Sequence, residues 1–191
     1  LTHCMDELNM KGLKLHPDHG YYPNSPETYR LLEILQEKKG ILLTHTGPVA
    51  PPGKAGKYAH PILLDEVATD FPDLIIIAAH MGQFWWREWA GSAYYHPNLY
   101  GDLAEWQILA RRNLGFFRKE LRTIIDICGV EKILFGSDGP IFELIVPVAE
   151  WLDILQSLPD DTSDGIRFTT EEVNAILGGN AGRILKLQAR E

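Results

Sequence analysis

Three side chains combine metal-capable or proton-transferring chemistry with a suggestive placement: His45, His80 and Asp138. Each closes an apolar run, I-L-L-T before His45, L-I-I-I-A-A before His80 and K-I-L-F-G-S before Asp138. Imidazole and carboxylate hold divalent ions and move protons near neutral pH. Short apolar runs without alternation, the middle one bounded by Pro72 and Gly82, read as strands buried on both faces. That is the habit of parallel sheets covered by helices. In a parallel barrel the carboxyl ends of the strands share the face where such folds do their chemistry. His16 ends a shorter apolar segment and can line the same pocket, while Trp85 and Trp86 follow His80 and can wall it. Plainer readings stand beside these: imidazoles as satisfied polar groups, Asp138 as a helix N-cap, His16 in an exit turn, the tryptophans as core.

The elements that must position these residues follow from pattern and punctuation. Residues 1–10 read as the last turns of a helix that Gly12 can end, before a strand near Leu13 that stops at His16-Pro17. Ser25 and Pro26 suit the N-cap and first turn of a helix whose stripe is Leu31, Leu32, Ile34 and Leu35. After the strand at Leu42, the loop from Thr46 to His60 is rich in proline and glycine, and a loop that long inside a domain is usually functional or mobile. A helix from Pro61, the strand ending at His80 and an aromatic-rich helix come next. Then follow a strand over 98–103, a long amphipathic helix over 116–128, a strand over 133–136 and a helix from about Phe142 to Leu158. Thr169 and Glu172 have the spacing of a capping box and open a last helical region through Leu187. Strands alternating with helices imply βαβ units and a parallel sheet. Five strands are legible where a closed barrel has eight. The chain also begins at Leu1 in mid-pattern, so it is expected to be a fragment whose three missing strands precede it.

Composition sets bounds. At 191 residues, with 45% hydrophobic and 23% charged residues, the chain is expected to form a single α/β domain spanning 1–191. A formal net charge of −8 gives no support to nucleic-acid binding. No apolar run is long enough for a membrane span. The only cysteines, Cys4 and Cys128, argue against a disulfide framework and for a reducing, cytoplasmic setting.

Six motifs resemble the amidohydrolase superfamily, specifically its amidohydrolase 2 branch of TIM-barrel metal-dependent hydrolases and decarboxylases. They are G-L-K-L-H-P (12–17), L-L-T-H-T-G (42–47), A-H-M-G (79–82), N-L-Y-G-D (98–102), I-L-F-G-S-D-G-P (133–140) and N-A-G-R-I-L (180–185). The resemblance implies a parallel (β/α)8 TIM-barrel fold, with about five of its eight strands in this chain. It implies that His45 is a metal ligand, that Asp138 binds metal or accepts a proton from water, and that His80 handles protons or adds a ligand. The branch's H-x-H or E-x-H pair on the first barrel strand has no counterpart here. Lys14 raises a carboxylated lysine bridging two metals, as in other branches, whereas this branch generally uses a mononuclear site. The implied cofactor is a divalent ion, zinc first, and the implied reaction is hydrolysis of a small carboxylated or amide/ester-like substrate. The alternatives are non-oxidative decarboxylation, or an inactive half-barrel that assembles through its open sheet edge. The expected partners are a small-molecule substrate and further copies of the chain in a homo-oligomer.

Overall fold

A computed structural model describes residues 1–48, 54–162 and 165–187. The chain divides into two compact units, Leu1–Gly101 and Asp102–Glu191. Residues 49–53, part of the long loop expected after the second strand, lie outside the described residues.

The first unit begins with a short helix α1 (Thr2–Asp6) and then alternates strand and helix: β1 (Gly12–Leu15), α2 (Pro26–Glu37), β2 (Ile41–His45), α3 (Leu63–Asp70), β3 (Ile75–Ala79) and α4 (Trp86–Tyr95). It ends on β4 (Leu99–Asp102). All pairings are parallel, with Lys14 opposite Leu43, Leu43 opposite Ile77 and Ile77 opposite Tyr100. Ser25 caps α2 as its spacing predicts, its Oγ accepting from the Thr28 amide at 3.3 Å with Pro26 in the first turn. Leu32 and Leu35 of that helix are fully buried, as are Leu42, Leu64, Val67, Leu74, Ile76 and Leu99.

Burial along the strands corrects one expectation. In β2 and β3 the residues alternate between buried and half-buried, so Leu42, Thr44, Ile76 and Ala78 are sealed while Ile41, Leu43, Ile75 and Ile77 are not. The sealed row is fully packed, whereas the opposite row keeps some access to solvent. Side chains alternate across a sheet, so the register sets Lys14, Leu43, Ile77 and Tyr100 on the face that also carries His45.

The second unit contains α5 (Trp106–Arg112), α6 (Leu114–Cys128), β5 (Ile133–Leu134), α7 (Val148–Gln156), α8 (Thr170–Asn174) and α9 (Asn180–Ile184). Within this unit the Leu103 amide donates to the Leu134 carbonyl at 3.0 Å. Three expected boundaries change. The helix expected over 116–128 is present as α6, which starts two residues earlier at the Asn113 cap, whose Oδ1 accepts from the Phe116 amide at 3.0 Å, while α5 before it was not expected. The helix expected over 142–158 is interrupted, with a 3-10 turn at Phe142–Leu144 and α7 beginning only after Pro147. Proline disfavours helical backbone in the residue before it, which here is Val146. The last helical region opens on the predicted Thr169–Glu172 capping box but passes through a π turn at Ala175–Gly179, which ends on two glycines. No helix among the described residues is long and apolar enough to cross a membrane.

Candidate active site

The first unit brings three imidazoles into a row. His45 is the last residue of β2 and His80 is the first after β3, so neighbouring parallel strands deliver them side by side. The His45 and His80 ring centroids are 5.0 Å apart and steeply inclined. On the other side His16, just past β1, stacks on His45 at 4.9 Å with the planes 10° apart.

His45 is the centre of this row and the most constrained member. It is only 5% exposed, and its Nε2 has no hydrogen-bond partner. Burial pushes its pKa down from 6.5 to about 3, with repulsion from His80 and His16 adding to the effect. The ring is therefore neutral at neutral pH, the state in which imidazole donates a lone pair to a metal. A buried ring nitrogen without a hydrogen-bond partner normally costs stability, and coordination of its lone pair to a cation satisfies it. On that test His45 fits a metal ligand.

The turn after β3 explains how His80 is presented. His80, Met81, Gly82 and Gln83 all have positive φ, a conformation that non-glycine residues adopt only when surroundings impose it. Thr46 imposes it: its hydroxyl donates to the Ala79 carbonyl at 2.6 Å and accepts from the Gly82 amide at 2.8 Å. Thr46 is 2% exposed, and the neighbouring Gly47 has φ +121° with its missing Cβ position 3.4 Å from the Gly82 backbone. The H-T-G and H-M-G segments therefore interlock through their non-histidine residues. Thr46 was not among the sequence candidates, although its place inside the motif was the available signal.

His16 is joined to a buried carboxylate. Its Nδ1 lies 3.0 Å from Asp18 Oδ1, and Lys54 Nζ lies 3.2 Å from Asp18 Oδ2. Burial alone raises a carboxyl pKa, but hydrogen bonds from His16 and Lys54 reverse it and hold Asp18 below its ordinary value. His16, Asp18 and His19 place ligand-capable atoms within 4.8 Å of one another. The Lys54 ammonium already neutralises Asp18, so this group is accounted for without an ion.

The two tryptophans part company. Trp85 is half-buried, its ring stacked on His60 at 4.8 Å and close above Gly56. Trp86, 3% exposed, is sunk into the unit beneath the Arg87 guanidinium. Successive residues entering a helix project in different directions, so the pair does not form one wall.

Asp138 belongs to the second unit. It follows β5 at φ +50° and is exposed, so burial does not supply the argument for its charge that the apolar strand suggested. Its side chain caps no helix, and the following 3-10 turn has no side-chain cap at all. Two buried donors hold the segment before it: Gln107 Nε2 bonds the Ser137 carbonyl at 2.7 Å and Trp151 Nε1 the Gly136 carbonyl at 3.0 Å. From the last motif, Asn180 donates to the Val130 and Ile133 carbonyls, each at 2.8 Å, and so fixes the entry to β5.

The amidohydrolase family model matches residues 1–187. Among solved structures, an uncharacterised TIM-barrel protein from Bordetella bronchiseptica is similar at TM-score 0.75 and 23% identity, over 95% of this chain and 59% of that one. A dihydroxybenzoic acid decarboxylase from Polaromonas sp. JS666, with bound manganese and an inhibitor, is similar at TM-score 0.65 and 20% identity, over 97% and 63%. A probable 2-pyrone-4,6-dicarboxylic acid hydrolase from Acinetobacter baumannii is similar at TM-score 0.67 and 14% identity, over 93% and 65%. The chain thus spans less than two thirds of the length of these structures, and the likeness is one of fold: parallel α/β of the TIM-barrel type. Comparison with curated protein sequences gave no match.

Proposed function

The chain belongs to the amidohydrolase family, and from that premise we propose that it forms part of a metal-dependent hydrolase acting on a small carboxylated or amide/ester-like substrate. The observation that carries the proposal is the buried, unpartnered Nε2 of His45 at the end of β2. Zinc is the proposed ion; manganese, bound in the Polaromonas decarboxylase of similar fold, is the rival. Acidification of water and polarisation of a carbonyl are the chemistry supplied when such an ion is bound.

In this reading His45 donates the Nε2 lone pair to the ion. His80, 3% exposed and 5.0 Å from His45 ring to ring, stabilises or protonates the oxyanion that develops on the substrate. Asp138 accepts the proton of the attacking water or adds a ligand; its role rests on the G-S-D motif and its position after β5. His16 and Trp85 face the substrate, and Trp86 supports Trp85 from the core. Non-oxidative decarboxylation uses the same parts and is the alternative; the Polaromonas protein of similar fold is named a decarboxylase. We also propose a homo-oligomer in a reducing, cytoplasmic setting, the latter resting on the low cysteine content.

Metal analysis of the whole protein, together with its turnover of 2,6-dihydroxybenzoate against a set of small esters and lactones, tests the reading. The expected result is about one bound divalent ion and a loss of turnover in Asp138→Asn of the order of 10²-fold or more, the scale of a general acid–base contribution. Undiminished turnover in that variant removes Asp138 from the mechanism.

A further inference from the structure

Asp18 is 1% exposed, and a carboxylate so deeply buried needs charged or hydrogen-bonding neighbours. Its Oδ2 faces the Lys54 ammonium at 3.2 Å and its Oδ1 faces His16 Nδ1 at 3.0 Å. A carboxylate has no proton to donate. At that separation two lone pairs would repel, so the hydrogen between Asp18 and His16 must reside on Nδ1. In the neutral imidazole that N–H is the only one, and His16 Nε2 is then a lone-pair acceptor.

The rest of the rim holds this arrangement in place. The His16 amide donates to Tyr21 Oη at 2.8 Å, and the Asp18 carbonyl accepts from the Ala55 amide at 3.2 Å. One face of the His16 ring lies on His45, yet the side chain remains 47% exposed. The residue is therefore fixed in orientation and still open to a ligand.

We propose that Asp18 is a positioning residue that locks His16 as the Nδ1–H tautomer, so that the rim beside His45 offers an acceptor nitrogen to the substrate. A group placed there must donate a hydrogen bond, as a hydroxyl or amide N–H does; a carboxylate meets a lone pair and is disfavoured. The inference rests on the reading of this rim as a substrate site and names the chemistry of one part of that substrate. It assigns a role to Asp18 that neither the motifs nor the general reaction require.

Nitrogen-15 histidine NMR of the complete chain at neutral pH tests it, with His16→Gln identifying the His16 signals. The expected spectrum shows a pyridine-like, downfield Nε2 and a protonated Nδ1 for His16, and Asp18→Ala loses that pattern. An Nε2–H tautomer or a doubly protonated ring in the unmutated protein overturns the proposal, as does survival of the Nδ1–H form in Asp18→Ala. Should that variant fail to fold, the unmutated protein's own tautomer decides. Phenol and benzoate then serve as donor and carboxylate probes. Movement of the His16 Nε2 signal by phenol supports the acceptor rim, while a response to benzoate alone, or to neither, overturns it. Zinc added in a separate titration tests the underlying reading independently, because it perturbs the His45 signals if His45 is a ligand, whichever tautomer His16 shows.

Discussion

His45 concentrates the consequences at the level of single residues. Its pKa is depressed to about 3 against 6.5 for an unperturbed imidazole. Between those values the unfolded chain binds a proton that the folded one refuses, so stability rises with pH across the interval and falls as pH drops from about 6.5 toward 3. The limiting slope from one such group is about 1.4 kcal/mol per pH unit. Metal-free protein should therefore lose stability on acidification faster than a His45→Gln variant, as followed by urea denaturation at a series of pH values. Parallel curves for the two proteins would show that His45 is not buried as a neutral base. Asp18 acts in the same direction over a lower range. Its folded pKa lies below 3.8, so its contribution is complete above that value and disappears as pH falls through the folded pKa.

Among the elements, turns and helix ends depend on a few buried hydrogen bonds. Thr46 bonds both the Ala79 carbonyl and the Gly82 amide in the strained turn that presents His80. Thr46→Val keeps the shape and removes one hydrogen bond from each of two buried groups, at about 1 kcal/mol each. The expected outcome is a loss of stability of about 2 kcal/mol or more, together with weaker metal binding, measured by denaturation and by equilibrium dialysis. Stability lost with unchanged metal affinity would mean that the turn does not set the site. Asn98 performs a similar task before β4, its Nδ2 reaching the carbonyls of Ala68, Phe71 and Leu74 at 2.9–3.2 Å. Asn98→Ala removes a buried two-hydrogen donor shared by three carbonyls, of which Phe71's keeps the Leu74 amide, whereas Ser25→Ala removes a single cap worth about 1 kcal/mol. Denaturant midpoints should place Asn98→Ala clearly below Ser25→Ala.

For the molecule as a whole, a ligand that binds only the folded chain stabilises it by mass action. At a free-ion concentration about 100 times Kd the gain is about 2.7 kcal/mol. Zinc or manganese should therefore raise the Tm of the protein and a chelator should reverse the gain, while His45→Ala should respond to neither. A Tm insensitive to divalent ions would remove the metal from the reading. Much of the architecture was legible beforehand, because strand and helix patterns are short-range properties. The apolar runs, the caps at Ser25 and Thr169 and the strand-end placement of His45 and His80 all came from neighbours in sequence. Helices were harder: α5 was not foreseen, and Pro147 breaks an element that hydrophobic pattern alone runs together. Only the tertiary structure decided that Trp85 meets His60 while Trp86 is buried, that Thr46 clamps the turn of the next strand, and that Asp18 is shared between His16 and Lys54. Those outcomes depend on which distant segments exclude water from a given atom. Periodicity records which way a side chain points but not what meets it there.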